Sequence, residues 1–305
     1  MTEPTFKFRT STYESFAQAK PHETDILFVG VGVDDRGSQA INELSSTSGT
    51  VVELLYDPEK NELVVNGAIQ GLRALVNLVR GKKVRVESTT LGLAEIIRVI
   101  QASKSAGLQE IEFTYLEPKT YTQGKSPVGT YLNARDFELT ENRVFRAIHG
   151  FAHQRMADTK ECYIFFLGYE VSRLLQAFEQ PDLQVEEKYA VFGVPPFVSG
   201  WETNALANHA ADLKRLDFRA IHYCAANSVR EAYLKLWAIY SRLRNEHLTL
   251  VISPLGTKPQ TVASALFLIE TKGGPYPTAL YYDHPQRKQG RSSDVRLWHF
   301  YKVNW

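Results

Sequence analysis

The residues best suited to chemistry lie where a predicted strand ends and a helix begins. The clearest of these segments starts at Ser253 and reads Ser-Pro-Leu-Gly-Thr-Lys-Pro. Gly256 permits close approach of a backbone, Thr257 adds a hydroxyl, and Lys258 adds a positive charge at a helix N-terminus, which itself favours anions. The combination predicts a site for a phosphate or another anion. The alternative is a plain strand-to-helix turn, in which Thr257 caps the helix and Lys258 is solvated.

A glycine-rich loop in the first half begins like a dinucleotide fingerprint. It starts at Gly30 and reads Gly-Val-Gly-Val-Asp-Asp-Arg, so Asp35 stands where the third glycine belongs. Two carboxylates at a helix N-terminus satisfy its dipole and would repel a pyrophosphate, so NAD binding is not expected. Asp34, Asp35 and Arg36 either contact a ribose or a base of some other ligand or simply cap the helix.

Two further strand-exit loops carry side chains that a nucleotide would use. Ser88, Thr89 and Thr90 follow an apolar strand, and their hydroxyls either bind an anion or cap the next helix. Phe197 and Trp201 follow a later strand and either stack on a base or pack beneath their own loop.

Metal and cofactor chemistry is not indicated. His149 and His153 are four residues apart, but Gly150 weakens the helix and no glutamate stands between the histidines, so a metal site is not expected. Cys162 and Cys224 are too few for a disulfide framework or a four-cysteine zinc site, which fits a reducing cytosol. No cofactor is predicted, and no set of nucleophile, base and orienting group stands out.

Strands that alternate with helices must position these loops, and this order predicts an α/β fold with parallel sheets. The predicted strands are 25–33, 51–56, 83–87, 110–116, 161–168, 188–194, 218–224, 247–253, 278–282 and 297–303. The predicted helices begin after residue 34 and then occupy 68–78, 91–106, 170–179, 201–213, 228–246 and 260–269. We expect two tandem Rossmann-like units with mainly parallel sheets, residues 1–125 and 159–305, joined by a connection over 126–158.

The two halves share three landmarks in the same order. Their first strands end in Leu27–Gly30 and Phe165–Gly168, and a later strand in each half leads into a Leu-Gly loop and a helix. A strand with tyrosine and proline then closes each half. The order predicts an internal duplication that would pack as a pseudo-dimer with one cleft between its strand ends.

Composition narrows the class of protein further. The 305 residues have a formal net charge of +1, 44% hydrophobic and 23% charged residues, which is typical of a folded globular protein. The sequence has no apolar run long enough for a membrane span and no signal peptide, so a cytoplasmic location is expected. The C-terminal segment is basic and forms either a solvated face or a surface that attracts phosphates and nucleic acid. Its charges are Lys272, Arg287, Lys288, Arg291 and Arg296.

The segment Gly256-Thr257-Lys258 and the helix behind it resemble the Gly-Thr-Lys motif of CARF domains, the Rossmann-like sensors of CRISPR-associated and related prokaryotic defence proteins. The resemblance implies that Thr257 and Lys258 contact the backbone of a cyclic oligonucleotide, with the loop 30–36 as a second contact. It also implies two fused CARF-like units, as in SAVED domains. The sequence departs from the family pattern because Pro254-Leu255 replaces the usual second glycine and the first-half loop lacks the lysine.

These observations predict a nucleotide- or cyclic-oligonucleotide-sensing accessory subunit of an antiviral defence system. Its effector is expected to be a separate protein chain, since no nuclease or protease segment is visible. One alternative is a nuclease or ring-nuclease-like hydrolase that uses the same cleft, with Asp34, Asp35, Ser253 and Lys258 as candidate groups. The other is a ligand-free interaction scaffold.

Overall fold

The computed structural model describes residues 3–122, 137, 139–142, 144–152, 160–180, 187–243 and 248–305. The chain divides into two compact units, Met1–Tyr121 with Gln289–Trp305, and Thr122–Lys288. Each unit contains helices and a sheet whose central strands are parallel, so the predicted α/β class is confirmed. In the described part of the chain, no helix has both the length and the apolar character of a membrane span.

The first unit holds an eight-stranded mixed sheet in the order β1-β15-β7-β6-β2-β3-β4-β5, in which β15 is the C-terminal strand Ser292–Asn304. The elements before the second unit are β1 (Lys7–Tyr13), α1 (Phe16–Ala19), β2 (Thr24–Val29), α2 (Asp35–Ser45), β3 (Ser48–Asp57), β4 (Glu62–Val65), β5 (Ala68–Ile69), α3 (Leu72–Val79), β6 (Val84–Glu87), α4 (Leu93–Ser105) and β7 (Glu110–Tyr121). The central strands β7, β6, β2 and β3 are parallel, whereas the outer strands are antiparallel. The sheet is therefore parallel only among the strands that are connected to one another through helices.

The second unit holds a five-stranded, fully parallel sheet in the order β11-β10-β9-β12-β13. Its elements are β8 (Thr140–Asn142), β9 (Lys160–Leu167), α5 (Val171–Glu179), β10 (Glu187–Gly193), α6 (Trp201–Arg215), β11 (Ala220–Cys224), α7 (Val229–Leu243), β12 (Leu248–Pro254), α8 (Lys258–Thr271), β13 (Thr278–Leu280) and β14 (Gln286–Arg287). Both faces of β9 are buried, as expected of a continuous apolar run in a parallel sheet.

The C-terminal strand departs from the predicted domain boundaries. Residues 292–304 form β15, which lies between β1 and β7 in the first unit and not in a second unit spanning 159–305. The strand predicted over 110–116 is also longer than expected, since β7 runs through Pro118 and continues to Tyr121. Pro118 pairs with Val295 beside a bulge between Val295 and Leu297, and a bulge removes the need for the amide that proline lacks.

A hairpin replaces the first four residues of the helix predicted over 68–78. Asn66 and Gly67 both have positive φ, 47° and 79°, and turn the chain from β4 into β5. Two consecutive residues with positive φ make the tight turn that hairpins prefer, and asparagine followed by glycine suits it best. α3 therefore begins only at Leu72.

Candidate functional site

The segment predicted to bind an anion forms the link between β12 and α8. Thr257 is the N-cap of α8, and Lys258 is its first residue. The Gln260 side chain accepts a hydrogen bond from the Thr257 amide at 2.8 Å. The Thr257 hydroxyl donates to the carbonyl of Ala226 at 2.6 Å, which ties the loop to the end of β11. What the loop presents to an anion is therefore the half-buried Lys258 and the positive end of the helix dipole.

Glycines let the exit loops of β9 and β12 come into contact. A β-carbon on Gly168 would lie 3.3 Å from the Leu255 carbonyl oxygen, and one on Gly256 would lie 3.3 Å from the Phe166 side chain of β9. β9 and β12 are neighbours in the sheet, but the chain leaves β9 towards β10 on the other side. Open α/β sheets bind ligands at this kind of switch in direction. The structure places Gly256 and Lys258 at the switch point.

A buried ion pair that the sequence patterns did not reveal fixes the same loop. Arg173, in the first turn of α5, donates to both carboxylate oxygens of Asp283 at 2.7 Å and to the Leu255 carbonyl at 2.7 Å. Asp283 is fully buried and Arg173 nearly so. Burial alone would lower the pKa of Arg173, but the Asp283 carboxylate outweighs it and raises that pKa above its usual value. Arg173 therefore stays charged, and its hydrogen bond to Leu255 holds the backbone just before Gly256.

Two buried polar atoms near the loop have no hydrogen-bond partner in the described part of the chain, Ser253 Oγ and His209 Nδ1. His209 Nε2 lies 3.1 Å from the Gly168 carbonyl oxygen, so Nε2 carries the proton and Nδ1 is left as an acceptor. Burial lowers the pKa of His209 to about 4, which keeps the ring neutral near pH 7. An unpaired buried polar atom costs about 1–3 kcal/mol unless a water or a ligand pairs with it.

We expect His209 to make the protein less stable in acid. Its pKa is lowered to about 4 in the folded state, whereas a histidine in an unfolded chain has a pKa of about 6.5. The unfolded chain therefore takes up the proton first. The stability contributed by the neutral ring is complete above about pH 6.5 and is lost as the pH falls towards 4, a loss on the order of 3 kcal/mol.

Urea unfolding near pH 7 and near pH 4.5 measures this effect. His209→Gln should show a smaller pH dependence than the wild type, because its amide can still donate to Gly168 but does not titrate. His149→Gln is the matched control, since His149 is exposed in the same unit. An equal pH dependence in the wild type and His209→Gln would contradict the assignment.

The residues predicted to bind a ligand in the first unit are largely engaged with one another. Thr90 Oγ1 accepts from the Gly30 amide at 2.9 Å, and Thr89 Oγ1 accepts from a β7 amide at 3.0 Å. The Glu87 carboxylate accepts from the Thr89 and Thr90 amides at 2.8 Å each. Ser88 is also buried, and its hydroxyl has no partner among the described residues. This loop mainly joins the end of β6 to β2 and β7.

Asp34 and Arg36 likewise serve the fold. Asp34 caps α2, accepting from an amide of its first turn at 2.8 Å, and also accepts from the Ser292 hydroxyl. Burial would raise the pKa of Asp34, but Arg36 and Ser292 outweigh it and lower that pKa. Arg36 is 1% exposed and donates to a β7 carbonyl at 2.8 Å. Among the three charged residues of this loop, Asp35 in the first turn of α2 is the exposed one, and Val31 of the same loop is also exposed.

The other candidate side chains are divided between packing and surface positions. Trp201 is half-buried and meets the Tyr169 ring edge-on, with centroids 5.7 Å apart. Phe197 is 4% exposed and packs beneath its loop. His149 lies in an exposed turn, and His153 lies outside the described residues. Among the described residues, no group of three histidine, cysteine or acidic side chains is arranged to hold a metal.

Two of the basic residues near the C-terminus face buried acids. Arg291 Nε lies 3.7 Å from Asp34, and Arg296 lies 3.2 Å from Glu117. Their charges are thus partly neutralised within the first unit. Arg291 and Arg296 therefore contribute less positive charge to the predicted surface for nucleic acid than their sequence positions suggested.

Contrary to the expectation from sequence, a hydroxyl, an imidazole and a carboxylate do form a hydrogen-bonded series. Thr12 Oγ1 lies 3.0 Å from His299 Nδ1, and His299 Nε2 lies 2.9 Å from Glu117. Thr12 is exposed, whereas His299 and Glu117 are buried. This arrangement can activate a nucleophile. Its members lie on β1, β15 and β7, which become neighbours only in the folded sheet, so no spacing in the sequence could reveal it.

Comparisons with known proteins add no relative. A scan against protein-family models gave no match, and searches of the curated proteins and of the solved structures gave none either. The fold therefore identifies the chain as an α/β protein of two units, each with parallel central strands. The resemblance to CARF and SAVED domains depends on the motif at Gly256, Thr257 and Lys258 and, for the rest of the chain, on the order of strands and helices and the suspected duplication.

Proposed function

We propose that the chain is a nucleotide- or cyclic-oligonucleotide-sensing subunit of a prokaryotic antiviral defence system, acting in the cytoplasm with a separate effector chain. The observation that carries the proposal is the β12–α8 loop, where Lys258 and a helix N-terminus lie at the switch point of a parallel sheet. A lysine charge and the positive end of a helix dipole both favour a phosphate. Two buried free cysteines are compatible with a reducing compartment.

The unpartnered atoms beside the loop support a ligand with polar groups besides its phosphates. Ser253 Oγ and His209 Nδ1 lack partners among the described residues. His209 Nδ1 can only accept, so it suits a donor such as an amino or hydroxyl group, or a water that bridges to one. A nucleotide supplies both an anion and such donors.

We also propose that the two units arose by duplication. When β11 and α7 are left out, the parallel order β10-β9-β12-β13 corresponds to β3-β2-β6-β7 of the first unit. In both units a glycine after the first central strand, Gly30 or Gly168, meets the exit loop of the strand across the switch point. In both, a buried arginine near the start of the next helix, Arg36 or Arg173, donates to a backbone carbonyl. These shared contacts belong to the scaffold and not to the ligand.

If the two units diverged after duplication, an anion site would remain in the second unit and would have been lost from the first. Lys258 has no counterpart in the loop 88–90 of the first unit, where Glu87 already accepts from two loop amides. An acid in this position opposes binding of a phosphate. We therefore place the ligand in the second unit.

Thermal unfolding with a panel of mono-, di- and cyclic oligonucleotides tests the proposal. A ligand at about 100 times its dissociation constant should stabilise the wild type by roughly 2.7 kcal/mol. Lys258→Ala should lose this shift, because it removes the charge at the helix N-terminus. Lys214→Ala, at an exposed position in α6, should keep it. No shift with any ligand would overturn the sensor proposal.

A processing enzyme is the second candidate function, favoured by the series Thr12–His299–Glu117. Chromatography of the same samples distinguishes the two functions, since a sensor returns its ligand intact and an enzyme returns product. Thr12→Val then shows whether any turnover depends on this hydroxyl.

A further inference from the structure

One face of the outer strands in the first unit carries apolar side chains that face solvent. β2 and β3 are parallel neighbours in which Leu27 pairs with Val51, and paired residues point to the same side of a sheet. Leu27 and Val29 are buried in a cluster with residues of α2. Val51 lies on the same side but is 38% exposed. The side of the sheet that α2 covers therefore extends past α2 without a cover.

The exposed side chains form a row across three strands. Leu55 of β3 pairs with Val64 of β4, and Val64 pairs with Ile69 of β5. Leu55 is 51% and Ile69 is 63% exposed, while Val64 is half-buried. We call Val51, Leu55, Val64 and Ile69 the outer ribbon face. Contiguous exposed apolar side chains of this kind mark interaction sites more often than isolated ones do.

The path of the chain explains why this face is bare. After β3 the chain turns back into the β4–β5 hairpin and does not cross over to a helix on the side of α2. The opposite side of β3 is covered, since Leu54 and Tyr56 are buried and the Tyr56 amide donates to Glu95 of α4 at 2.9 Å. An α/β sheet normally has helices on both faces. On the α2 side, α1 and α2 share one buried cluster with Leu27 and Val29, and neither helix buries Leu55 or Ile69.

The dimensions of the face match a helix. Adjacent strands lie about 4.8 Å apart, so the row from β3 to β5 is roughly 10 Å wide. An α-helix with its side chains is about 10 Å across, and packed helices lie about 8–10 Å apart. The row is therefore wide enough to hold one helix.

The charges around the row select the chemistry of the partner. Glu53 and Asp57 lie on the same side of β3 as Leu55, and Glu62 pairs with Asp57 across the hairpin. Asp57 lies 3.7 Å from the exposed Lys60, whereas Glu53 is exposed and neither Glu53 nor Glu62 has an ion-pair partner among the described residues. Two copies of this face would bring acids against acids, and an anionic membrane would be repelled in the same way. The apolar row with acidic flanks fits an amphipathic helix with basic flanks.

We propose that the outer ribbon face binds an amphipathic helix with basic flanks from a partner protein, packed beside α2 over Leu55, Val64 and Ile69. The inference does not depend on the anion site, because it uses residues of the first unit only. It gives the separate effector chain a docking position that can be tested without any nucleotide.

Fluorescence anisotropy with a labelled model peptide tests the proposal. The probe is a helical peptide of about 18 residues with leucines on one face and lysines on the other. Leu55→Asp should weaken its binding by at least about tenfold, since it places a charge in the centre of the apolar row. Because Leu55 is exposed, this substitution leaves the core intact, which circular dichroism verifies.

Matched controls separate this surface from nonspecific binding. Ile221→Asp changes an exposed apolar residue in the second unit, 41% exposed, and should leave binding unchanged. A peptide with glutamates in place of the lysines should bind more weakly, and Glu53→Lys should reverse that preference. Unchanged binding in Leu55→Asp, or equal binding of both peptides, would overturn the proposal. So would a wild-type dimer that Leu55→Asp converts to a monomer, because a second copy would then occupy the face.

Discussion

Replacing Asp283 with alanine should lower the free energy of unfolding by about 3–5 kcal/mol, which is the typical cost of leaving one charge of a buried pair without its partner. Arg173 would keep only its 2.7 Å hydrogen bond to the Leu255 carbonyl. Its pKa lies above the usual value because Asp283 outweighs the effect of burial. Without Asp283, a guanidinium that does not lose its proton would remain in a site with little access to water.

Urea unfolding followed by circular dichroism measures this loss, with Asp212→Ala as the matched control. Asp212 also pairs with an arginine, Arg215, at 2.8 Å, but the Arg215 side chain is 63% exposed. An exposed pair contributes only about 0–1 kcal/mol, so this variant should stay close to the wild type. The double variant Arg173→Leu/Asp283→Leu should recover part of the loss, because it removes both buried charges. Equal effects of Asp283→Ala and Asp212→Ala would refute the role given to the buried pair.

Replacing Gly30 with alanine should destabilise the first unit by about 3 kcal/mol, within the usual cost of overpacking a rigid site. The added β-carbon would lie 2.4 Å from the Thr90 carbonyl oxygen, a backbone atom that cannot rotate away. Moving the loops apart would also strain the 2.9 Å hydrogen bond from the Gly30 amide to Thr90 Oγ1. The melting temperature should fall by about 10 °C.

Gly71→Ala is the control for this experiment. Gly71 has nothing within 4 Å of an added β-carbon and a φ of −85°, which any residue adopts. This variant should match the wild type or exceed it slightly, since alanine reduces the entropy of the unfolded chain. If Gly30→Ala melts at the same temperature as Gly71→Ala, the two exit loops do not pack as closely as described.

Local sequence patterns were sufficient for the elements that form from neighbouring residues. The apolar run after residue 24 and the capping residue Asp34 predicted β2 and α2, and both are present, although β2 ends at Val29 and not at residue 33. The hairpin at Asn66-Gly67 could also have been predicted, since this dipeptide stands between two apolar pairs. The helical spacing after residue 68 outweighed that signal and extended the predicted helix too far.

Elements that depend on distant residues were beyond the reach of sequence patterns. β15 pairs Ser292 with Tyr121 and Asn304 with Glu110, and nothing local indicates which sheet a C-terminal strand joins. The long loop closed by this pairing encloses the whole second unit. Predicted domain boundaries therefore placed the strand with the residues that precede it in the chain.

The candidate site also has a part that local sequence indicated and a part that only the fold reveals. Gly256 and Lys258 belong to one short loop, so their types and spacing indicated an anion site directly. Arg173 and Asp283 are 110 residues apart, and only the fold brings their charges together. A charged residue in a helical pattern is normally read as exposed, which is why buried Arg36 was assigned to a ligand.

The dissociation constant of the best ligand from the oligonucleotide panel tests the central claim most directly, measured by calorimetry for the wild type, Lys258→Ala and Lys258→Arg. Loss of a charge-assisted contact of about 1.5–3 kcal/mol predicts at least tenfold weaker binding to Lys258→Ala. Lys258→Arg should retain most of the affinity, and the exposed control Lys214→Ala should match the wild type. Equal affinity of the wild type and Lys258→Ala would contradict an anion site at the start of α8.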